Sequence, residues 1–206
     1  REWVFMKFQQ FAQNSGGRLN AVLDTITLAA DKRRIDTAIN LGNVIATLKG
    51  TDPNDKRVFM ISGHIDSRST NVMNRSNDAP GANDDGSGVA AVLETARIMC
   101  KQSFPATIIF AVFSGEEQGL LGAEFMAAKM KKEQVELEAL LNNDIMGSNN
   151  SNGTNIINNT MVRVFSEGLP AFETDKKAGM IRSMGMENDG ASRQLARYIK
   201  EIGERY

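Results

Sequence analysis

One imidazole and five carboxylates, His64, Asp66, Asp84, Glu116, Glu117 and Asp144, fall at or near the ends of apolar runs in this chain. Oxygen donors and an imidazole nitrogen brought to one place hold divalent cations, zinc among them, and a carboxylate beside a bound cation can take a proton from water. That combination performs hydrolysis. His64 is the only histidine present, so a metal site here must draw its other ligands from acids.

His64 and Asp66 form a His-x-Asp pair, in which one ring nitrogen binds metal while the carboxylate orients the imidazole from behind. Asp84 stands in Ala79-Pro80-Gly81-Ala82-Asn83-Asp84-Asp85-Gly86-Ser87-Gly88, where small residues let the backbone turn sharply and approach a cation. An Asp ahead of a helix ordinarily caps it, a role that fits Asp85 better than Asp84. If Asp84 binds metal, its two oxygens can bridge ions about 3.5–4 Å apart. Glu116 and Glu117 are adjacent and, outside a regular helix, point different ways, so one can ligate while the other moves protons. The ordinary role for such a pair is a solvated helix start, favoured by the helix dipole. Gly115, Gly119 and Gly122 do not make a phosphate loop, because the Gly-x-x-x-x-Gly-Lys pattern is absent. Ser62-Gly63 is no nucleophile elbow, and the single histidine lies beside it in sequence, which sets a serine hydrolase aside.

The surrounding pattern shows what must position these side chains. Val4, Phe8, Phe11 and Ala12 repeat at helical spacing before Ser15-Gly16-Gly17. Two β-rich stretches follow, around residues 24–30 and 43–49, and Gly50-Thr51-Asp52-Pro53-Asn54 makes a turn. Val58–Ile61 is a continuous apolar run, read as a central strand buried on both faces with His64 at its C-terminal edge. Residues 67–83 lack periodicity and read as a loop returning to the site. Ser87 can cap a helix with Val89, Val92, Leu93, Ala96 and Met99 on one face. Thr107–Phe113 is the most strand-like stretch and ends at Ser114-Gly115-Glu116-Glu117; a helix with Leu121, Phe125 and Ala128 inward follows. Met161–Phe165 reads as a further strand and Asp189–Gly203 as a last helix, with Leu195, Tyr198, Ile199 and Ile202 on its inner side. Alternating strands and helices at crossover distances predict a mixed, largely parallel α/β sheet. In such sheets ligands gather outside the carboxyl ends of the strands, where His64, Glu116, Glu117 and Asp144 all fall.

A length of 206 residues, 41% of them hydrophobic, suits one domain over 1–206 with a buried core. With 24 basic against 25 acidic residues there is no cationic field to attract nucleic acid or an anionic membrane, so neither is expected as a partner. Cys100 is alone, which excludes an internal disulfide. Ser148–Thr160 is rich in Asn; the Asn-x-Ser/Thr triplets headed by Asn149, Asn152 and Asn158, and by Asn74 elsewhere, are what such a composition produces by chance.

At the chemistry-bearing blocks the chain resembles the zinc-dependent aminopeptidases with two co-catalytic zinc ions, of the bacterial leucyl aminopeptidase and aminopeptidase S or Y type. The matching blocks are Ser62-Gly63-His64-Ile65-Asp66-Ser67, residues 79–88 quoted above, Phe113-Ser114-Gly115-Glu116-Glu117-Gln118-Gly119-Leu120-Leu121-Gly122-Ala123, and Asn143-Asp144-Ile145-Met146-Gly147. The similarity covers residues 40–150, with the flanks matching in general character. It implies a three-layer α/β/α fold of the zinc exopeptidase kind. It also implies that Asp84 bridges two zinc ions, that His64 and Asp144 complete one and Glu117 the other, and that Glu116 is the general base. Asp66 would support His64 as a second catalytic residue, and the Asp84–Asp85 peptide bond would be cis. The expected reaction is removal of an N-terminal residue from a peptide through a metal-bridged hydroxide, in a secreted or periplasmic enzyme.

The fifth ligand of such enzymes, a late histidine after one further strand, has no counterpart, since no histidine follows position 64. The reading is therefore of a catalytic domain lacking its C-terminal part, weak or inactive as it stands, holding one zinc ion or none in place of two. Two alternatives are a peptidase-like binding module that has lost catalysis, as in the transferrin-receptor ectodomains, and a single-zinc enzyme similar to glutaminyl cyclases.

Overall fold

The computed structural model describes residues 1–74, 76–150, 155–169, 175–188 and 190–206. Where the sequence reading treats the chain as one domain, internal contacts divide it into two units, Arg1–Asn155 and Ile156–Tyr206.

The first unit opens on α1 (Glu2–Ala12), whose Val4 and Phe8, one turn apart, are buried while Gly16 and Gly17, both at positive φ, follow its end. Then come β1 (Leu19–Leu28), β2 (Ile39–Leu48), β3 (Arg57–His64), α2 (Gly86–Met99), β4 (Thr107–Phe113), α3 (Leu121–Lys132) and β5 (Glu136–Asn142). The strands lie in the order β1-β2-β4-β3-β5. β1 and β2 are antiparallel, as are β2 and β4, whereas β3 is parallel to both β4 and β5. Four strands therefore point the same way and β2 runs against them: the mixed, largely parallel sheet of the sequence reading.

Period-two alternation sorts the core into two layers. Val44, Ala46 and Leu48 of β2, with Ile108, Phe110 and Val112 of β4, pack against Val4 and Phe8 of α1 and Val89, Val92, Leu93 and Ala96 of α2. The intervening residues Ile45, Ile109, Ala111 and Phe113, with Met60 of β3, face the other way, onto Met126 of α3. Helices thus cover both faces, giving three layers. The connection from β3 to β4 carries α2 on one face, and the return from β4 across to β5 carries α3 on the other, as uniform crossover handedness requires.

Local differences from the sequence reading have physical reasons. β1 and β2 each begin four to five residues earlier than the apolar runs suggest, because they pair with each other from Leu19↔Leu48 to Leu28↔Ile39 and ladder hydrogen bonds do not need apolar side chains. The cap of α2 is Asp85, accepting from Gly88 N at 3.0 Å, while the Ser87 hydroxyl donates to Asn83 O at 2.6 Å. On α3 the inward residues are Gly122 and Met126, and Ala128 is exposed. Gly122 seats the helix so close to the sheet that an added Cβ would lie 2.2 Å from Asn43 Oδ1, which turns positions 122, 126 and 130 inward.

The second unit contains α4 (Asp175–Ser183), a 3-10 turn (Met186–Asn188) and α5 (Ala191–Arg205). α5 is the last helix of the sequence reading, though Asp189, placed at its start there, lies outside the described residues, as does Asn152. Leu195, Ile199 and Ile202 are half-buried, but Tyr198 is 60% exposed. Met161–Phe165 is not a strand: it joins no ladder, and Phe165 is 86% exposed.

Candidate metal centre

Two adjacent parallel strands whose connections leave toward opposite faces open a crevice at their carboxyl ends. β3 and β4 are such a pair. His64 ends β3 and is paired in register with Phe113, the end of β4, while Asn142 at the end of β5 pairs with Ser62. Side chains just past these three ends must meet at one edge of the sheet.

They do. The His64 ring is buried, 3% exposed, and its Nδ1 lies 3.0 Å from the main-chain oxygen of Asp66. A carbonyl only accepts, so Nδ1 carries the proton in the neutral ring and the Nε2 lone pair faces the crevice. Asp84 Oδ1 is 3.1 Å from Nε2, with Glu116 Oε2 and Asp144 Oδ2 each at 4.0 Å. Four of the six residues singled out in the sequence thus converge on one imidazole nitrogen.

The other two are held beside them. Asp66 supports His64 through its main-chain oxygen, whereas its carboxylate, 3.8 Å from Nδ1, accepts from Glu116 N at 3.2 Å and Glu117 N at 3.0 Å. Asp66 therefore fixes the loop that carries both glutamates. Glu117 makes no ion-pair contact with His64 among the described residues; its carboxylate lies 2.8 Å from Arg68 Nε, and Arg34 Nη1 donates to its carbonyl at 2.7 Å.

The peptide bond between Asp84 and Asp85 is cis, as the resemblance implies. The two aspartates do different work. A ring nitrogen of His64 and carboxylate oxygens of Asp85 and Asp144 lie within 4.8 Å of one another and could in principle form a metal triad. But Asp85 is 1% exposed, and its carboxylate is already taken up by three main-chain donors: His64 N at 2.9 Å, Gly88 N at 3.0 Å and Ile145 N at 3.3 Å. The half-exposed Asp84 carboxylate, 3.1 Å from Nε2, is the one open to an ion. Asp85 instead ties the end of β3, the start of α2 and the segment after β5 together. The sequence reading saw only its cap; the other two donors come from positions 21 and 60 residues away, which no local pattern shows. Arg34 and Arg68 went unassigned for the same reason, sitting in loops without periodicity.

Charge in this crevice is unbalanced. Burial raises the Glu116 pKa above its ordinary 4.5, and Glu117, Asp66 and Asp144 push the same way against the opposing pull of His64. Burial likewise raises Asp85 above 3.8, offset in part by the N–H groups of His64 and Gly88. Burial alone would lower His64, but Asp85, Asp66 and Glu116 outweigh it and raise its pKa above 6.5. Among the described residues Arg68, on Glu117, is the one Arg or Lys ion-paired to these acids. Clustered carboxylates around a neutral imidazole nitrogen fit a divalent cation, whose charge would offset the cost of burying them side by side.

Residues 43–178 match the family described as Peptidase family M28. Over 204 residues the chain is 43% identical to a protein of Pyricularia oryzae named "Probable zinc metalloprotease", covering 98% of this chain and 40% of that protein. It is 38% identical to one of Leptosphaeria maculans so named, covering 98% and 46%. The chain thus spans less than half the length of these relatives. Among solved structures it is similar to a leucine aminopeptidase precursor from Bacteroides thetaiotaomicron, with a TM-score of 0.58 and 21% identity over 73% of this chain and 54% of that one, a likeness of fold.

Proposed function

Since the chain belongs to peptidase family M28, we propose that its crevice is the zinc site of a metallopeptidase that removes N-terminal residues from peptides. The observation that carries the reading is the convergence of Asp84, Glu116 and Asp144 on His64 Nε2 within 3.1–4.0 Å. His64, Asp84 and Asp144 would hold one zinc ion, and Asp84 with Glu117 a second. Zinc bound there supplies a water of pKa about 7 and a polarised scissile carbonyl.

The chain's own groups supply the rest. Glu116, its carboxylate held at the crevice because its N–H is anchored on Asp66, takes the proton of the attacking water at Oε2 and returns it to the leaving amine. The raised Glu116 pKa brings it closer to that of the water it must deprotonate. Asp66 keeps the His64 ring in the tautomer that leaves Nε2 free, through its main-chain oxygen.

Donor number separates the two ion positions. One has an imidazole and two carboxylates; the other has Asp84 and Glu117, short of the three protein ligands usual in catalytic zinc sites. Residues 1–206 alone are therefore expected to bind one zinc ion tightly in calorimetric titration and to be weak as a peptidase. Glu116→Gln in the protein should lower hydrolysis of aminoacyl anilides on the order of 10³-fold with zinc content unchanged. Uptake of no zinc, or full activity in the Gln variant, would overturn the assignment. Comparing peptides with N-terminal Leu and N-terminal Gln tests the cyclase alternative, since ring closure on Gln in preference to release of Leu rejects the peptidase.

A further inference from the structure

We propose that Asn43, a β2 residue outside every metal-binding block, is the positioning residue that sets Glu116 and Glu117 in the crevice. The inference rests on the reading of those glutamates as proton carrier and zinc ligand, but the clamp itself is visible without it.

The two glutamates sit on a loop that leaves β4 at Ser114 and enters α3 at Leu121, with Gly122 the second residue of that helix. Its neck is closed by Gly122 N donating to Ser114 O at 3.0 Å and Leu121 N to Gly115 O at 2.9 Å. Asn43 lies across this neck with no exposed surface. Its Nδ2 donates to Gly122 O at 2.8 Å, and its Oδ1 accepts from Ser114 N at 3.2 Å. The next-door strand residue adds a third tie, Ser114 Oγ donating to Gly42 O at 2.6 Å. One side chain thus pins the last group before the loop and the first after it.

The chemistry admits an amide and little else. The neck offers one donor to be accepted and one carbonyl to be donated to, and Asn presents both at the right separation. A carboxylate would set an oxygen against Gly122 O, and an apolar side chain of the same size would leave the Ser114 N–H without its acceptor. Room is equally restricted, since a Cβ on Gly122 would meet Asn43 Oδ1 at 2.2 Å. At its tip the loop is anchored by the Asp66 carboxylate on the Glu116 and Glu117 N–H groups, with Arg34 on the Glu117 carbonyl and Arg68 on the Glu117 carboxylate. Asn43 and Asp66 hold it from opposite ends. Without the neck clamp, Glu117 keeps its ties to Arg34, Arg68 and Asp66, while Glu116 is left with the Asp66 carboxylate on its N–H. His64, Asp84 and Asp144 hang from β3, the start of α2 and the segment after β5, none of which Asn43 touches.

The test uses Asn43→Asp, which keeps the acceptor, and Ser114→Ala, which removes only the outer tie and leaves the core intact, in the protein with zinc restored. Three readouts are taken: amide hydrogen exchange at Ser114, Glu116 and Glu117, zinc affinity, and kcat and KM per zinc-loaded site. For Asn43→Asp, exchange at these amides should rise at least tenfold while strand amides of β3 keep their protection. Zinc affinity of the tighter ion should stay within about threefold, and kcat should fall at least tenfold with KM within about twofold. Ser114→Ala should show the same pattern at a few-fold amplitude. A uniform loss of protection with unchanged kcat per loaded site would mean that Asn43 is only a core residue, and the inference would fall. If wild type takes up no zinc while the exchange pattern appears as described, the peptidase reading fails and the clamp stands.

Discussion

β4 and β5 deliver an acid to the same crevice by opposite physical means. β4 is an interior strand, buried from Ile108 to Phe113, and the loop bearing Glu116 springs from that packed core. β5 is an edge strand whose residues are nearly all exposed, with Leu140 46% and Leu141 39% accessible. Asp144 is nonetheless held, because the segment after β5 is laced to β3 and to the residues at the start of α2. Asn143 N donates to Ser62 O at 2.8 Å, Ile145 N to Asp85 Oδ1 at 3.3 Å, Met146 N to Ser87 Oγ at 2.8 Å and Gly147 N to Asn83 Oδ1 at 2.8 Å. Apolar burial fixes one acid-bearing segment, and polar side chains accepting main-chain N–H groups fix the other. A metal site can be rigid on an exposed edge provided each backbone donor there has a fixed acceptor.

The sharpest break of the β4 side is Phe110→Ala, which empties the centre of the α1–α2 layer. It should cost about 3–5 kcal/mol in denaturant unfolding and loosen both acid-bearing segments together. On the β5 side, Asp85→Ala removes the acceptor of three N–H groups, two of them buried, and should cost about 3 kcal/mol, while lowering zinc affinity more than tenfold because His64 and the Asp144 segment share that anchor. If zinc affinity survives Asp85→Ala, polar lacing is not what places Asp144.

A pH scan separates the charge contribution from packing. His64, Asp85 and Glu116 all have raised pKa values in the folded chain. Folding therefore tightens their hold on protons. The stability they contribute is complete below the ordinary values of 3.8, 4.5 and 6.5 and is lost as pH rises through the raised ones. The metal-free protein should accordingly lose melting temperature from pH 5 to pH 8, less so as Glu116→Gln, and zinc should flatten the slope by supplying the missing positive charge. An unchanged slope in the Gln variant would remove Glu116 from the cluster. The smallest effect is expected at Leu140→Thr on the exposed face of β5, within about 0.5 kcal/mol of wild type with unaltered zinc binding.

What the sequence showed and hid divides along the same line. Wherever burial imposes a period, the reading holds: Thr107–Phe113 is a strand to the residue, and Val89, Val92, Leu93 and Ala96 form the inner face of α2. It missed the inward face of α3, where one tight approach at Gly122 sets the rotation. It also made a strand of Met161–Phe165, because an apolar run carries no information on whether a partner strand exists.

The sequence by itself determined which groups could do chemistry here and that they follow strand ends, because residue type and hydrophobic period are local properties of the chain. Only tertiary structure decided that Asp84 faces His64 while its neighbour Asp85 is consumed as an anchor, that Glu117 lies against Arg68, and that Asn43 closes the neck of the glutamate loop. Each of those outcomes depends on donors and acceptors 20 to 80 residues apart meeting at hydrogen-bond distance, and such meetings are set by strand order and register rather than by any pattern along the chain.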